Sequence, residues 1–267
     1  MLMPSVNEII AQLERVAPLE LAESWDNVGL LVGDRGRDVR RLMTCLTLTP
    51  TTVGEAIERQ VDLVVVHHPL PFKPVAQVTT DSVVGRLLWE LIGARIAVYS
   101  AHTAFDSARE GINQRLAEGL KLDVIEPLSD AETVQNAQGL GAGRYGTFET
   151  ATTLRALAAD VKRFLSIAQV RVVGDIERTV RHVGIACGSG GSFLSAAHAK
   201  ACDCLVTGEA NFHTCLEAEA IGMSLILTGH YASERFAMER LAEALEAVFR
   251  QIDVWPSQRE RDPLAVL

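Results

Sequence analysis

No apolar run in this 267-residue chain approaches the roughly 18 residues that a membrane-spanning helix needs. The opening Met1-Leu-Met-Pro-Ser also lacks a basic segment followed by an apolar core. Membrane insertion and export are therefore not expected, and the cytoplasm is the expected location. Cysteine is sparse as well. Cys45, Cys187, Cys202, Cys204 and Cys215 are odd in number and none stands in a Cys-x-x-Cys pair, which argues against a disulfide framework and against a thiolate zinc site. Positive charge is in deficit, with a formal net charge of -9. No basic patch is dense enough to neutralise several phosphates, so neither nucleic acid nor an anionic membrane is the expected primary partner.

What the chain does have is Val61-Asp-Leu-Val-Val-Val-His-His-Pro-Leu70. The run Leu63 to Val66 is apolar and mostly β-branched, the pattern of a strand covered on both faces in a parallel sheet, and Pro69 stops further pairing. His67 and His68 thus stand where a central strand ends. On extended backbone their side chains point to opposite faces, which suits two metals; a turn at Pro69 would bring them together on one. Packing without metal remains open for the pair taken alone.

Around that strand the pattern is α/β. Asn7 to Val16 repeats apolar residues at helical spacing. Trp25-Asp-Asn precedes the Gly-punctuated run ending at Gly33, with Trp25 either packing in a turn or lining a site. Leu42 to Thr49 reads as a strand, and Thr49-Pro50 caps a helix over Thr51 to Gln60 that leads into the His-His strand. This is a βαβ crossover with parallel strands. Ser82 to Ile92 reads as a helix and Arg95 to Ser100 as a strand, running into Ala101-His-Thr-Ala-Phe-Asp106. Asp106 either shares a helical face with His102 or caps the helix expected over Gly111 to Leu120.

A Gly-, Asn- and Ser-rich stretch from about Pro127 to Thr147 is the expected lobe junction. The expected division is a first lobe over 1–126 completed by the helix 232–252, a second lobe over 127–231, and a tail over 253–267. Thr150 to Ser166 reads as a helix and Gln169 to Gly174 as a short strand. Arg181 to Cys187 is a strand ending in Gly188-Ser-Gly-Gly-Ser192, followed by a helix over Phe193 to Ala201. Gly188, Ser189, Gly190 and Gly191 form either a phosphate- or substrate-holding turn or simply a tight one; the Lys of a Walker loop is missing. Cys204 to Glu209 is a strand, Phe212 to Ile221 a helix carrying His213 and Cys215. The last strand, Ser224 to Gly229, runs into His230-Tyr-Ala-Ser-Glu234 and a long helix to Ile252. Glu234 either joins His230 at a site or is a first-turn charge on the helix dipole.

Three strands therefore end in an imidazole, and two of these are followed by a carboxylate four residues on. Carboxyl ends of parallel strands form the ligand crevice of open α/β sheets, so the exits can converge. His67, His68, Asp106, His230 and Glu234 are too few to fill two coordination spheres separately; one carboxylate should bridge, with water in the remaining positions. That is the composition of a hydrolytic two-metal site. Imidazole and carboxylate without thiolate fit two divalent ions chosen from zinc, iron, manganese, cobalt or nickel.

The motifs Trp25-Asp-Asn-Val-Gly-Leu-Leu-Val-Gly33, Val66-His-His-Pro-Leu-Pro-Phe72, Tyr99-Ser-Ala-His-Thr-Ala-Phe-Asp106, Thr207-Gly-Glu209 and Thr228-Gly-His-Tyr-Ala-Ser-Glu234 resemble, in this order, the Nif-three-like family of GTP cyclohydrolase type 2 homologues. The resemblance covers nearly the whole chain and fits the short form, without a central insertion. It implies two α/β lobes with parallel or mixed sheets, a dinuclear centre between them ligated by His67, His68, Asp106, His230 and Glu234 with Glu234 bridging, and a toroidal homohexamer. Glu209 stands where relatives carry Asp. The family label implies opening of the guanine imidazole ring of GTP with release of formate. In such a hydrolase His102, close to the metals but not needed as a ligand, would shuttle protons or orient Asp106. A phosphoesterase or other nucleotide hydrolase, with phosphate at Gly188 to Ser192, and a non-enzymatic metal-binding ring or scaffold are the alternatives.

Overall fold

The computed structural model describes residues 2–130 and 139–265. In chain order the elements are α1 (Val6–Val16), β1 (Gly29–Val32), β2 (Arg41–Cys45), α2 (Pro50–Glu58), β3 (Leu63–Val66), α3 (Val83–Gly93), β4 (Ala97–Ser100), α4 (His102–Ser107), α5 (Ile112–Gly119) and β5 (Asp123–Glu126). There follow β6 (Ser129–Asp130), β7 (Gly141–Ala142), β8 (Arg144–Thr153), α6 (Leu154–Leu165), β9 (Arg171–Val173), β10 (Thr179–Ala186) and α7 (Leu194–Ala199). The chain ends with β11 (Cys204–Thr207), α8 (Phe212–Ala220), β12 (Ser224–Leu227), α9 (His230–Val248) and β13 (Asp253–Pro256). Two compact α/β units result: unit 1 is Met1–Ala104 with Ala237–Leu267, and unit 2 is Phe105–Phe236. The chain leaves unit 1 within α4 and returns to it within α9.

Unit 1 carries a five-stranded sheet in the order β1-β4-β3-β2-β13. Its strands β13, β2, β3 and β4 are parallel, and β1 joins the edge antiparallel through Gly29↔Ser100 and Leu30↔Tyr99. The expected crossover is present: Thr49 accepts from the Thr52 amide, Pro50 opens α2, and β2 and β3 pair through Leu42↔Leu63. Every residue of β3 is buried, as a continuous apolar run predicts for a strand covered on both faces. Val64 and Val66 pack with Val53, Leu87, Leu88 and Leu91 from α2 and α3. Each such side chain contributes about 1.5–3 kcal/mol on burial, so the strand that presents His67 and His68 is among the most firmly held parts of this unit.

Unit 2 has a six-stranded sheet in the order β5-β8-β10-β11-β12-β9. β10, β11 and β12 are parallel at its centre, while β8 and β9 flank them antiparallel. Helix α6 lays Leu154, Leu157, Val161 and Leu165 against Val183, Ile185, Val206 and Ile226.

Several expectations change. The segment expected to be helical from Thr150 instead extends β8 to Thr153, because Thr152 and Thr153 pair with Val180 and Thr179; the helix begins only where Thr153 caps it. β-Branched threonines favour that ladder. The helix expected over Phe193 to Ala201 is shorter, a 3-10 turn over Gly190–Phe193 preceding α7. Residues 253–256, expected within a tail, form the edge strand β13. Beyond it, the buried Glu55 carboxylate accepts from Ser257 Oγ at 2.6 Å and from the Gln258 and Arg259 amides. The unit boundaries fall at Ala104/Phe105 and Phe236/Ala237, so the Gly-rich stretch around Pro127 to Thr147 lies within unit 2; its residues 131–138 lie outside the described residues.

Candidate metal centre

In unit 1 the chain turns after Val66 instead of continuing as an extended strand. The His67 amide donates to Cys45 O and the His68 amide to Leu46 O, while Ser100 Oγ donates to His67 O at 2.6 Å. Both rings consequently lie together, with centroids 5.0 Å apart. This is the turned arrangement, not the opposed one that strand alternation suggests. His102, at the exit of β4, completes the cluster with centroids 5.1 Å from His67 and 5.7 Å from His68. One ring nitrogen from each of the three falls within 4.8 Å of the others, a spacing that suits a metal ion. His67 is 2% exposed.

Each outer ring is oriented by its Nδ1. Thr47 Oγ1 lies 2.7 Å from His68 Nδ1, and Asp26 Oδ1 2.8 Å from His102 Nδ1. Asp26 also accepts from the Thr103 amide and hydroxyl. Burial by itself would raise the Asp26 carboxyl, but the hydrogen bonds from His102 and Thr103 outweigh it and hold the group down at about 2. An ionised carboxylate on Nδ1 fixes the tautomer of His102 and leaves Nε2 as its unprotonated nitrogen. Sequence reasoning placed Asp26 in a turn and missed this role; the one available signal was its neighbourhood in the Trp25-Asp26-Asn27 motif.

In unit 2, α9 starts at His230 and places Glu234 one turn on, with His230 Nε2 3.1 Å from Glu234 Oε2. Glu234 beside it pushes His230 up to about 9. Glu209 and Ser189 stand on the other ring nitrogen, Glu209 Oε1 at 3.6 Å and Ser189 Oγ at 3.4 Å from His230 Nδ1. Asp106 lies inside α4, and the N-cap of α5 is Gly111, with no side-chain cap bond, so the N-cap reading of Asp106 does not hold. Asn113 ties its backbone to the Gly-rich turn, donating from Nδ2 to Asp106 O and accepting at Oδ1 from the Cys187 amide. The Cys187 thiol is pushed up by desolvation and by the carboxylates of Glu234 and Asp106, an environment with nitrogen and oxygen donors but no thiolate.

The glycines of the turn answer local packing. A side chain on Gly188, at φ +64°, would place its Cβ 2.1 Å from Glu234 Oε1 and 3.3 Å from His230 Nε2. The missing side chain is thus what keeps space at the His230–Glu234 pair. The Gly188 amide donates to Ser233 Oγ, Gly190 abuts Ala186 and Thr207, and Gly191 abuts Ala210. His213 is exposed on α8. Imidazole and carboxylate donors with room beside them, in both units, fit divalent metal.

Residues 4–263 match the model of the family described as Duf34/NIF3 (NGG1p interacting factor 3). A GTP cyclohydrolase 1 type 2 homolog of Clostridium acetobutylicum is 31% identical over 93% of this chain and 92% of its own. A protein of Helicobacter pylori named GTP cyclohydrolase 1 type 2 is 31% identical over 92% of this chain and 93% of its own. Among solved structures, a hypothetical protein of Staphylococcus aureus superposes with a TM-score of 0.89 at 28% identity, covering 99% of this chain and all of the other.

Proposed function

Since the chain belongs to the Duf34/NIF3 family, we propose that it is a metal-dependent hydrolase of the GTP cyclohydrolase type 2 kind, opening the guanine imidazole ring of GTP and releasing formate. The observation that carries the reading is the cluster of His67, His68 and His102, which brings one ring nitrogen of each within 4.8 Å of the others, with His68 and His102 oriented through Nδ1. The names borne by its relatives lend it the substrate.

Within unit 1, His67 and His68 would hold divalent metal; within unit 2, Asp106, His230 and Glu234 would do so. Bound there, such ions would lower the pKa of water and polarise the substrate. The protein's own groups do the rest. Asp26 holds the Nδ1 proton of His102, so that Nε2 takes up and returns a proton at the reacting centre. Thr47 fixes His68, Asn113 fixes the Asp106 backbone, and Gly188 leaves space beside Glu234 and His230. Among the described residues no helix is long and apolar enough to cross a membrane. The homohexamer implied by the family resemblance is part of the proposal, and light scattering should return a mass six times that of the chain.

The test is formate release from GTP by protein loaded separately with zinc, iron, manganese, cobalt and nickel, beside His68→Ala. Formate from the wild type, with loss of metal and turnover but not of fold in His68→Ala, supports the reading. Absence of formate with every metal removes it.

A further inference from the structure

Trp25 and Phe72 are large aromatics that the fold leaves outside its core, 60% and 45% exposed. Their centroids are 6.0 Å apart with the planes inclined at 57°, and each stands 6.2 Å from the His102 ring, edge-on. They are not loose surface residues. Asn27 Nδ2 donates to Pro71 O at 2.6 Å, joining the turn that bears Trp25 to the loop that bears Phe72, and the Asn27 amide donates to the same Asp26 Oδ1 that holds His102. One short hydrogen-bonded chain thereby fixes two exposed rings and the His102 imidazole relative to each other.

Holding rings this far in water forfeits much of the gain that burial would give. It does serve a ligand whose flat face needs a partner. An aromatic wall beside a polar, imidazole-lined floor is the arrangement that grips a planar heterocycle: its face lies on the rings while its reactive edge reaches the polar groups. A sugar or phosphate alone has no such face. We propose that Trp25 and Phe72 form the stacking wall for the planar base of the substrate, presenting its five-membered ring to His102. This deepens the hydrolase reading and rests on it for the identity of the base, whereas the stacking itself is tested without turnover.

The experiment is calorimetric titration of the full-length, metal-loaded protein with guanosine monophosphate and, as a ring-free control, ribose 5-phosphate, in wild type, Trp25→Ala, Trp25→Phe and Phe72→Ala. Because base stacking on an aromatic side chain is a substantial share of affinity, either alanine variant should weaken the nucleotide about tenfold or more. Trp25→Phe should retain most of the binding, and ribose 5-phosphate should bind weakly to all four. Equal binding of nucleotide and ribose 5-phosphate, or nucleotide binding unchanged in both alanine variants, overturns the proposal. So does a change of oligomeric mass in the alanine variants with nucleotide binding intact, which would make the pair a contact between copies. Stacking confirmed together with no formate from GTP would retain the wall and discard the ring-opening reaction.

Discussion

Asp26 Oδ1 lies 2.8 Å from His102 Nδ1 although 76 positions separate the two residues, and the Asp26 side chain is fully buried beneath the imidazole. A buried carboxylate that accepts from an imidazole and from both polar groups of Thr103 acts as a fixed orienter of that ring.

The tautomer of His102 follows from this. With Asp26 ionised, the proton belongs on Nδ1. Nitrogen-15 NMR of the ring in metal-free protein should show the Nδ1-H tautomer in the wild type and a mixture weighted toward Nε2-H in Asp26→Ala. If formate release is confirmed, the same variant should slow it by about 10- to 100-fold, the usual cost of losing an orienting partner. An unchanged tautomer would assign the orientation of His102 to something other than Asp26.

Gly188 sits where any side chain would strike the Glu234 carboxylate, 2.1 Å from Oε1, and at a φ of +64° that L residues adopt only with strain. Gly188→Ala should cost about 1–2 kcal/mol from the backbone alone, and more from displacement of Glu234. Thermal unfolding should show the first effect. Metal content by elemental analysis should show the second, falling relative to the wild type under the same loading. Unaltered metal content would mean that Glu234 in its present position is not a ligand.

How much of this was legible depended on the range of the interaction. The strand over Leu63 to Val66 and its two histidines were readable because a continuous apolar run closed by proline is a local pattern, as was the Thr49-Pro50 helix start. The partnership of Asp26 with His102 was not, because nothing near Asp26 distinguishes an orienter from a turn residue. The same limit explains β8 and β13. Thr150 to Thr153 precede an amphipathic helix and merge with its pattern, and only pairing with β10 reveals them as strand. Asp253-Val-Trp-Pro256 is four residues long, and it becomes a strand because β2 offers an edge and Arg59 stacks on Trp255 at 3.9 Å. In the candidate site, the histidines and carboxylates could be named from spacing, but the turn that brings His67 and His68 onto one side is a tertiary outcome.

The last segment of the chain supports the histidine cluster. Glu260 accepts from the Leu46 and Thr47 amides at 2.9 and 2.7 Å, and Thr47 in turn bonds His68 Nδ1. Glu260→Ala should release the 46–47 backbone and loosen His68 without touching any ligand. Metal affinity, measured by competition with a chromophoric chelator, should weaken by about tenfold or more, while Glu260→Gln, which keeps an acceptor, should recover part of it. Equal affinities in wild type and Glu260→Ala would show that His68 is held without this contact.

Glu55 gives a pH dependence with a definite sign. Burial tends to raise its carboxyl, but donation from Ser257 Oγ and the amides of Gln258 and Arg259 prevails and lowers it below the ordinary 4.5. A group depressed in the folded state stabilises it fully above its unfolded value, and that contribution is lost as pH falls through the folded value. Glu55→Gln replaces one acceptor oxygen with a donor facing donors, at a cost of about 1–3 kcal/mol near neutrality. Denaturant unfolding of both proteins should therefore show a gap that is constant from neutral pH down to the region of 4.5 and narrows below it, as the wild type is protonated and loses its advantage. A gap independent of pH through the acid range would mean that the network around Ser257 stabilises the protonated carboxyl equally well, and that the charge of Glu55 is not what anchors the end of the chain.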